Sequence, residues 1–428
     1  MGLLQRMNPF GQRSGKLQTQ PALGAAANLL EAIEGMAAMR GIVLPPCDPY
    51  PDQQVVYERY LKSVGLDHSQ VDRILNMGRI PEEKRAAAHG MLLAAVLNSG
   101  SISNGELAAI LTVARTIFSE QRATSLLRTI SAPIYEKARK VPGRLSGPLA
   151  MGVFPFRWFN GQSSAFEGTS MCLAATGSFD LIEIFSTLFA ARQKDPGYAV
   201  EKMREALATY VRTNEVESPK YGLGEGLVDF GNAGGIHTLL TTAGEQFLIS
   251  HEFGHVALGH TVSSPRGAMP TRAVGLLSQT PNDVQVIRPE QLDEYCADVW
   301  ALQAMLALAE EPEYEEKIPI FCGGAAVFLG LAVLVEAASR AARIDTKDSH
   351  PPASNRLYLI ELAFELFGHH ENAFVARRVR EFVDEVGAEY PGFEMPPMLS
   401  RPLNQIAAQV FEKLNLDLSH APYITDFR

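Results

Sequence analysis

Between Ala22 and Ala138 apolar residues recur at intervals of three and four, with Gly and Pro between the runs. That spacing predicts helices over about Ala22–Met39, Gln53–Val64, Ser69–Met77, Pro81–Leu97 and Asn104–Ala138. Residues 1–20 have no period and read as a disordered tail, and Leu44–Asp52 (LPPCDPYPD) reads as a proline-stiffened connector. Near Val141 the pattern changes to short apolar and aromatic runs broken by Gly and Pro, which marks a second, strand-bearing domain. There Ser163–Gly177 reads as one or two strands and Ser178–Gln193 as a helix with Ser178 as its N-cap. Helical periodicity returns further on, and Glu371–Leu416 carries Arg377, Arg378 and Arg380 interleaved with Glu381, Asp384 and Glu385, a charge-paired solvated face. The pattern divides the chain into a tail (1–20), a helical domain (21–140), a mixed domain (141–370) and C-terminal helices (371–428) that pack on it.

One run needs separate treatment. Ile320–Val335, IFCGGAAVFLGLAVLV, has no charge, but 16 residues of helix span only about 24 Å against the roughly 30 Å of a bilayer core, and Glu336 closes it. It reads as a buried core helix, and membrane association is not expected. The whole chain has 428 residues, 46% of them hydrophobic, and a net charge of −10, which argues against general attraction to nucleic acid. Four dispersed cysteines (Cys47, Cys172, Cys296, Cys322) make neither a disulfide framework nor a cysteine metal site, so a reducing, cytoplasmic location is expected. Arg6, Arg13 and Lys16 are followed by polar residues instead of an apolar stretch, so no signal peptide is expected.

The chemistry lies in HEFGH. Thr242 and Glu245 fit a capping box that opens a helix at Ala243, which Gly259 ends. His251 and His255 are four apart, about 40° around the helix and 6 Å along it, so both imidazoles can reach one Zn²⁺. Glu252 projects beside them, where it can act as general base on a water. The metzincin pattern HExxHxxGxxH is excluded because Thr261 stands where its third histidine belongs. His260 would point about 140° away on a continuing helix and is read as solvated after Gly259. A third ligand is offered by DEYCADVW, a helix beginning near Gln291, in which Glu294 and Asp298 share a face. Glu294 can give the metal a carboxylate oxygen, and Asp298 can accept the free ring N–H of a ligand histidine. His350, stiffened by Pro351 and Pro352, can be presented toward a developing oxyanion. His68, His89, His237, His369, His370 and Cys296 read as solvated or packing residues.

HEFGHVALGH, EYCAD and DSHPPASNRL together resemble the HExxH…ExxxD and Ser-His-Pro…Arg motifs of gluzincin metallopeptidases. The resemblance is to soluble relatives of the CaaX-prenyl-protease/heat-shock-protease group and to the phage-exclusion metallopeptidases. It covers roughly Ser163–Leu359 and implies an α+β, mostly helical, zincin-like domain with a small mixed sheet beside the N-terminal helical layer. It also implies one Zn²⁺ per chain on His251, His255 and Glu294, Glu252 as base, Asp298 and Arg356 in support, and His350 as a transition-state contact. A protein or peptide substrate would lie against an edge strand preceding the catalytic helix, here at Ala165, Phe166 and Gly168. The expected function is a zinc-dependent endopeptidase; the alternative is a catalytically silent, metal-stabilised binding or regulatory protein.

Overall fold

The computed structural model describes residues 33–42, 54–63, scattered positions between 90 and 138, and 149–154, 159–213, 233–261, 289–309, 318–344, 350–369, 373–396 and 401–416. The tail, the 44–52 connector, the 69–77 helix, His68, His89 and His370 lie outside them. Contacts divide the chain into two units, residues 1–50 with 68–132 and residues 51–67 with 133–428. In the first, Ile33, Ala37, Leu92, Ala95, Leu107, Ile110 and Leu111 form a closed apolar cluster. In the second the named elements are α1 (Gln54–Ser63), β1 (Leu149–Phe154), β2 (Gly161–Phe166), β3 (Thr169–Ala175), α2 (Thr176–Ala191) and α3 (Pro196–Thr213). They continue with α4 (Ala233–Ala257), α5 (Pro289–Ala309), α6 (Ile318–Ala341), α7 (Ala353–Leu366), α8 (Ala373–Gly387) and α9 (Arg401–Lys413). The fold is α+β and mostly helical, with a small mixed sheet, as the sequence implies.

The sheet runs β1-β3-β2, with β1 parallel and β2 antiparallel to β3. Glu167 (φ 49) and Gly168 (φ 74) join β2 to β3, and two consecutive positive φ values are the tight-turn geometry that matches strand twist. Gly168 is therefore a turn residue and not part of the edge strand, which is β2, with Ala165 and Phe166 at its end. Ser178 does not cap α2, which starts at Thr176 after Ala175. The Ser178 hydroxyl instead holds Asn160, accepting from its N–H at 2.7 Å and donating to its carbonyl at 3.0 Å.

α4 begins at Ala233, ahead of the expected start at Ala243, so Thr242 and Glu245 lie inside the helix and make no capping box. Glu245 is half-buried there, and burial, reinforced by the nearby charge of Glu183, pushes its carboxyl up to about 8. Gly259, at φ 75, does end the helix: the His260 N–H donates to the His255 carbonyl (2.8 Å) and the Gly259 N–H to that of Val256 (3.2 Å). This paired closure is the Schellman motif.

α6 is buried along most of its length between α4, α5, α7 and α8, although by length and composition alone it could cross a membrane. Each fully buried Leu, Val or Phe along it contributes about 1.5–3 kcal/mol. Phe328 packs on Phe247 of α4 and on Phe159, with ring centroids 5.7 and 5.0 Å apart. Small residues set the α4–α6 distance: a Cβ on Gly324 would sit 2.5 Å from the backbone and side chain of Ala243. Gly324→Ala should consequently lower stability by about 1–3 kcal/mol in urea denaturation, overpacking outweighing the helix-propensity gain of about 1 kcal/mol. Gly35→Ala, where nothing lies within 4 Å, should leave stability unchanged or raise it by up to about 1 kcal/mol. Equal effects at the two positions would refute the contact.

Candidate active site

α4 and α5 approach until Gly254 meets Ala297, where a Cβ on the glycine would lie 3.0 Å from the Ala297 carbonyl oxygen and 3.3 Å from its Cβ. Gly254 belongs to HEFGH and Ala297 to EYCAD, so the contact brings the two motifs face to face. Phe253 anchors the other side of the turn, fully buried with its ring edge-to-face on Tyr135 at 6.0 Å.

Across this junction the ring Nε2 atoms of His251 and His255 are 3.1 Å apart, His251 Nε2 lying 3.4 Å from Glu294 Oε2 and His255 Nε2 3.4 Å from Glu294 Oε1. Atoms bound at about 2.0–2.1 Å to a tetrahedral centre are separated by about 3.3–3.4 Å. The donors of His251, His255 and Glu294 all lie within 4.8 Å of one another, a set that could hold a metal ion. Two imidazole lone pairs at 3.1 Å repel unless a proton or a cation lies between them. Glu294 Oε2 is buried and makes no hydrogen bond of normal geometry, a costly arrangement that a bound cation would relieve.

The surroundings orient each donor. Asp298, fully buried, accepts from His251 Nδ1 at 2.9 Å and is clamped by Arg356, whose Nε and Nη2 each donate to it at 2.7 Å. Burial opposes the Asp298 charge, but the guanidinium and His251 hold its carboxyl below the usual range. Burial likewise opposes a charge on His251, but Asp298 and Glu294 outweigh it and push the imidazole up to about 10. Glu294 is held well below the usual carboxylate range, the charge of His350 being the largest of the influences that overcome burial. Arg356 Nη1 adds a contact to Glu294 at 3.7 Å.

Glu252 is buried, and burial raises its carboxyl against the opposing influence of His251 and His255. It lies against β2, where a Cβ on Gly161 would overlap its Oε1, so the strand passes this carboxylate closely only because residue 161 is glycine. His350 brings Nε2 to 3.5 Å from Glu294 Oε1. Glu294 raises the His350 imidazole, but burial and the charge of Arg356 prevail and lower it. The loop behind it is tied by Glu336 of α6, which accepts from the Ala353 N–H at 3.1 Å, the first residue of α7.

His251, Glu252, His255, Glu294, Asp298, His350 and Arg356 are thus brought together, and Ala165 and Phe166 stand at the far end of β2. Gly161 is the strand residue the sequence reading missed; its signal is a glycine at the start of the strand. His260 is not solvated: its side chain is 9% exposed and sits between His255 and Asp293. Cys296 is buried, as a packing residue should be. His237 lies in α4.

The buried pair has a measurable consequence. Arg356→Met should destabilise the chain by about 3–5 kcal/mol in urea denaturation, because it strands the Asp298 charge. Adding Asp298→Asn should recover part of that loss; strictly additive effects would deny the coupling.

No curated protein and no solved structure gives a significant match to the chain. The family model described as Peptidase U49 matches residues 235–377, a stretch that contains both helix motifs, His350 and Arg356 and reaches into α8. The match indicates a peptidase family, and with it peptide hydrolysis on protein or peptide substrates.

Proposed function

We propose that the chain is a zinc-dependent endopeptidase of gluzincin type, with one Zn²⁺ held by His251, His255 and Glu294 and a cytoplasmic site of action. The observation that carries this reading is the convergence of three donors from two helices, the Nε2 atoms of His251 and His255 being 3.1 Å apart and 3.4 Å from Glu294 Oε2 and Oε1 respectively, beside a buried fourth group that is not a donor to the set. That group, Glu252, gives the arrangement a use beyond holding a metal. A catalytically silent metal-stabilised protein has no need of a buried carboxylate at that point.

When bound, the ion supplies a Lewis acid that acidifies water and polarises the scissile carbonyl. Glu252, made more basic by burial, takes the proton of the attacking water and passes it to the leaving amine. His350 donates a hydrogen bond to the oxygen that gains charge. Asp298 and Arg356 hold His251 in the tautomer whose Nε2 lone pair faces the metal. No described strand pairs with the outer side of β2, and an extended substrate laid along it would add main-chain hydrogen bonds next to Glu252.

Elemental analysis after dialysis should give one zinc per chain, largely lost in His255→Ala and Glu294→Ala and retained in Glu252→Gln. A zinc-free wild type would sink the metal reading. With a cleaved peptide in hand, Glu252→Gln should lower kcat by at least 10²–10⁴ with KM little changed. Equal turnover by the two proteins would remove Glu252 from the chemistry.

A further inference from the structure

The Schellman closure at Gly259 turns the chain back on itself, so that His260 lies over His255 and not on the far side of a continuing helix. Its Nδ1 is 3.3 Å from Nδ1 of His255, and its Nε2 is 3.2 Å from Oδ1 of Asp293, the residue before Glu294 on α5. Asp293 is in turn paired with Lys413 of α9 at 2.6 Å.

These contacts favour one distribution of protons. Asp293 is an acceptor, so His260 Nε2 carries the hydrogen that faces it and His260 Nδ1 keeps its lone pair. His255 Nδ1 must then be the donor in the contact between the rings, which leaves the lone pair of His255 on Nε2, the atom that faces His251 and Glu294. The opposite tautomer would turn an N–H toward the donor cluster. His251 has the equivalent arrangement through Asp298, but its acceptor is a carboxylate on the facing helix, whereas that of His255 is a second imidazole backed by a carboxylate.

We propose that His260, held by Asp293, is a positioning residue that fixes the tautomer and ring orientation of His255 for metal binding. This rests on the zinc reading of the cluster. His260 is not itself a donor to the metal, since its ring lies on the Nδ1 side of His255, away from Glu294. Loss of such an outer partner weakens metal binding by about 10–100-fold in comparable sites.

The test is zinc affinity by chelator competition on the full chain, in wild type, His260→Phe, His260→Ala and His260→Asn. Phe keeps an aromatic ring but accepts nothing, and Asn can place its amide oxygen near the position of Nδ1. Phe and Ala should each weaken zinc binding by about 10–100-fold. Asn should restore most of the loss, although its packing is poorer than that of Phe. Phe binding zinc as wild type does, or Asn as weak as Ala, would overturn the assignment and reduce His260 to packing. A wild type without zinc would overturn the metal reading and this inference with it, whereas zinc-loaded wild type with an unaffected Phe variant would overturn this inference alone.

Discussion

The contact of α4 with α5 at Gly254 and Ala297 is the constraint on which the site depends. Helices separated by ordinary side chains sit about 8–10 Å apart, whereas at this point a glycine faces an alanine and no larger side chain stands between the two backbones. With a hydrogen on one side and a methyl on the other, the contact fixes how HEFGH and EYCAD face one another across the junction. The same device recurs where Gly324 lies on Ala243, so α4 is held from two directions by contacts without side-chain slack. Precision of this kind comes from backbone meeting backbone, which cannot adjust by changing a rotamer.

Charge adds a second constraint. Glu252, Glu294 and Asp298 bring three carboxylates into the interior, and Arg356 is the guanidinium placed among them. Burying charge without compensation costs several kcal/mol per group, so the excess acidity is balanced by a proton on Glu252, by protons on the histidines or by a cation. The elevated His251 is one protonic solution to that imbalance, and a divalent ion is another. Arg356 supplies one positive charge to these carboxylates, so part of the balance rests on groups other than a guanidinium among the described residues.

Much of the site was legible because it depends on local periodicity. Residues four apart on a helix share a face whatever surrounds them, which is why His251 with His255 and Glu294 with Asp298 could be read directly. The buried fate of Ile320–Val335 followed from its length. What the pattern hid was set by chain reversal and by close packing. His260 was misplaced because helical rotation was extended past Gly259, where the left-handed residue cancels it. Gly168 and Gly161 look alike in sequence, yet one makes a turn and the other makes room for Glu252, and only the partner across the gap distinguishes them. The start of α4 was misread because Thr242 and Glu245 match a cap locally while the helix continues upstream through Leu240 into the core.

The outer edge of β2, with which no described strand pairs, has a further implication for the protein's own life in solution. Backbone N–H and C=O groups do not discriminate by sequence, so an edge able to accept any extended chain will also accept one from a neighbouring, partly unfolded copy. For a peptidase such an encounter has two endings: cleavage of the visitor, or growth of an intermolecular sheet. Which one follows is a race between bond scission and strand addition. If Glu252 acts as proposed, its place against the beginning of that strand puts cleavage where such a visitor would lie, and a chain without it would keep the edge while losing the scission.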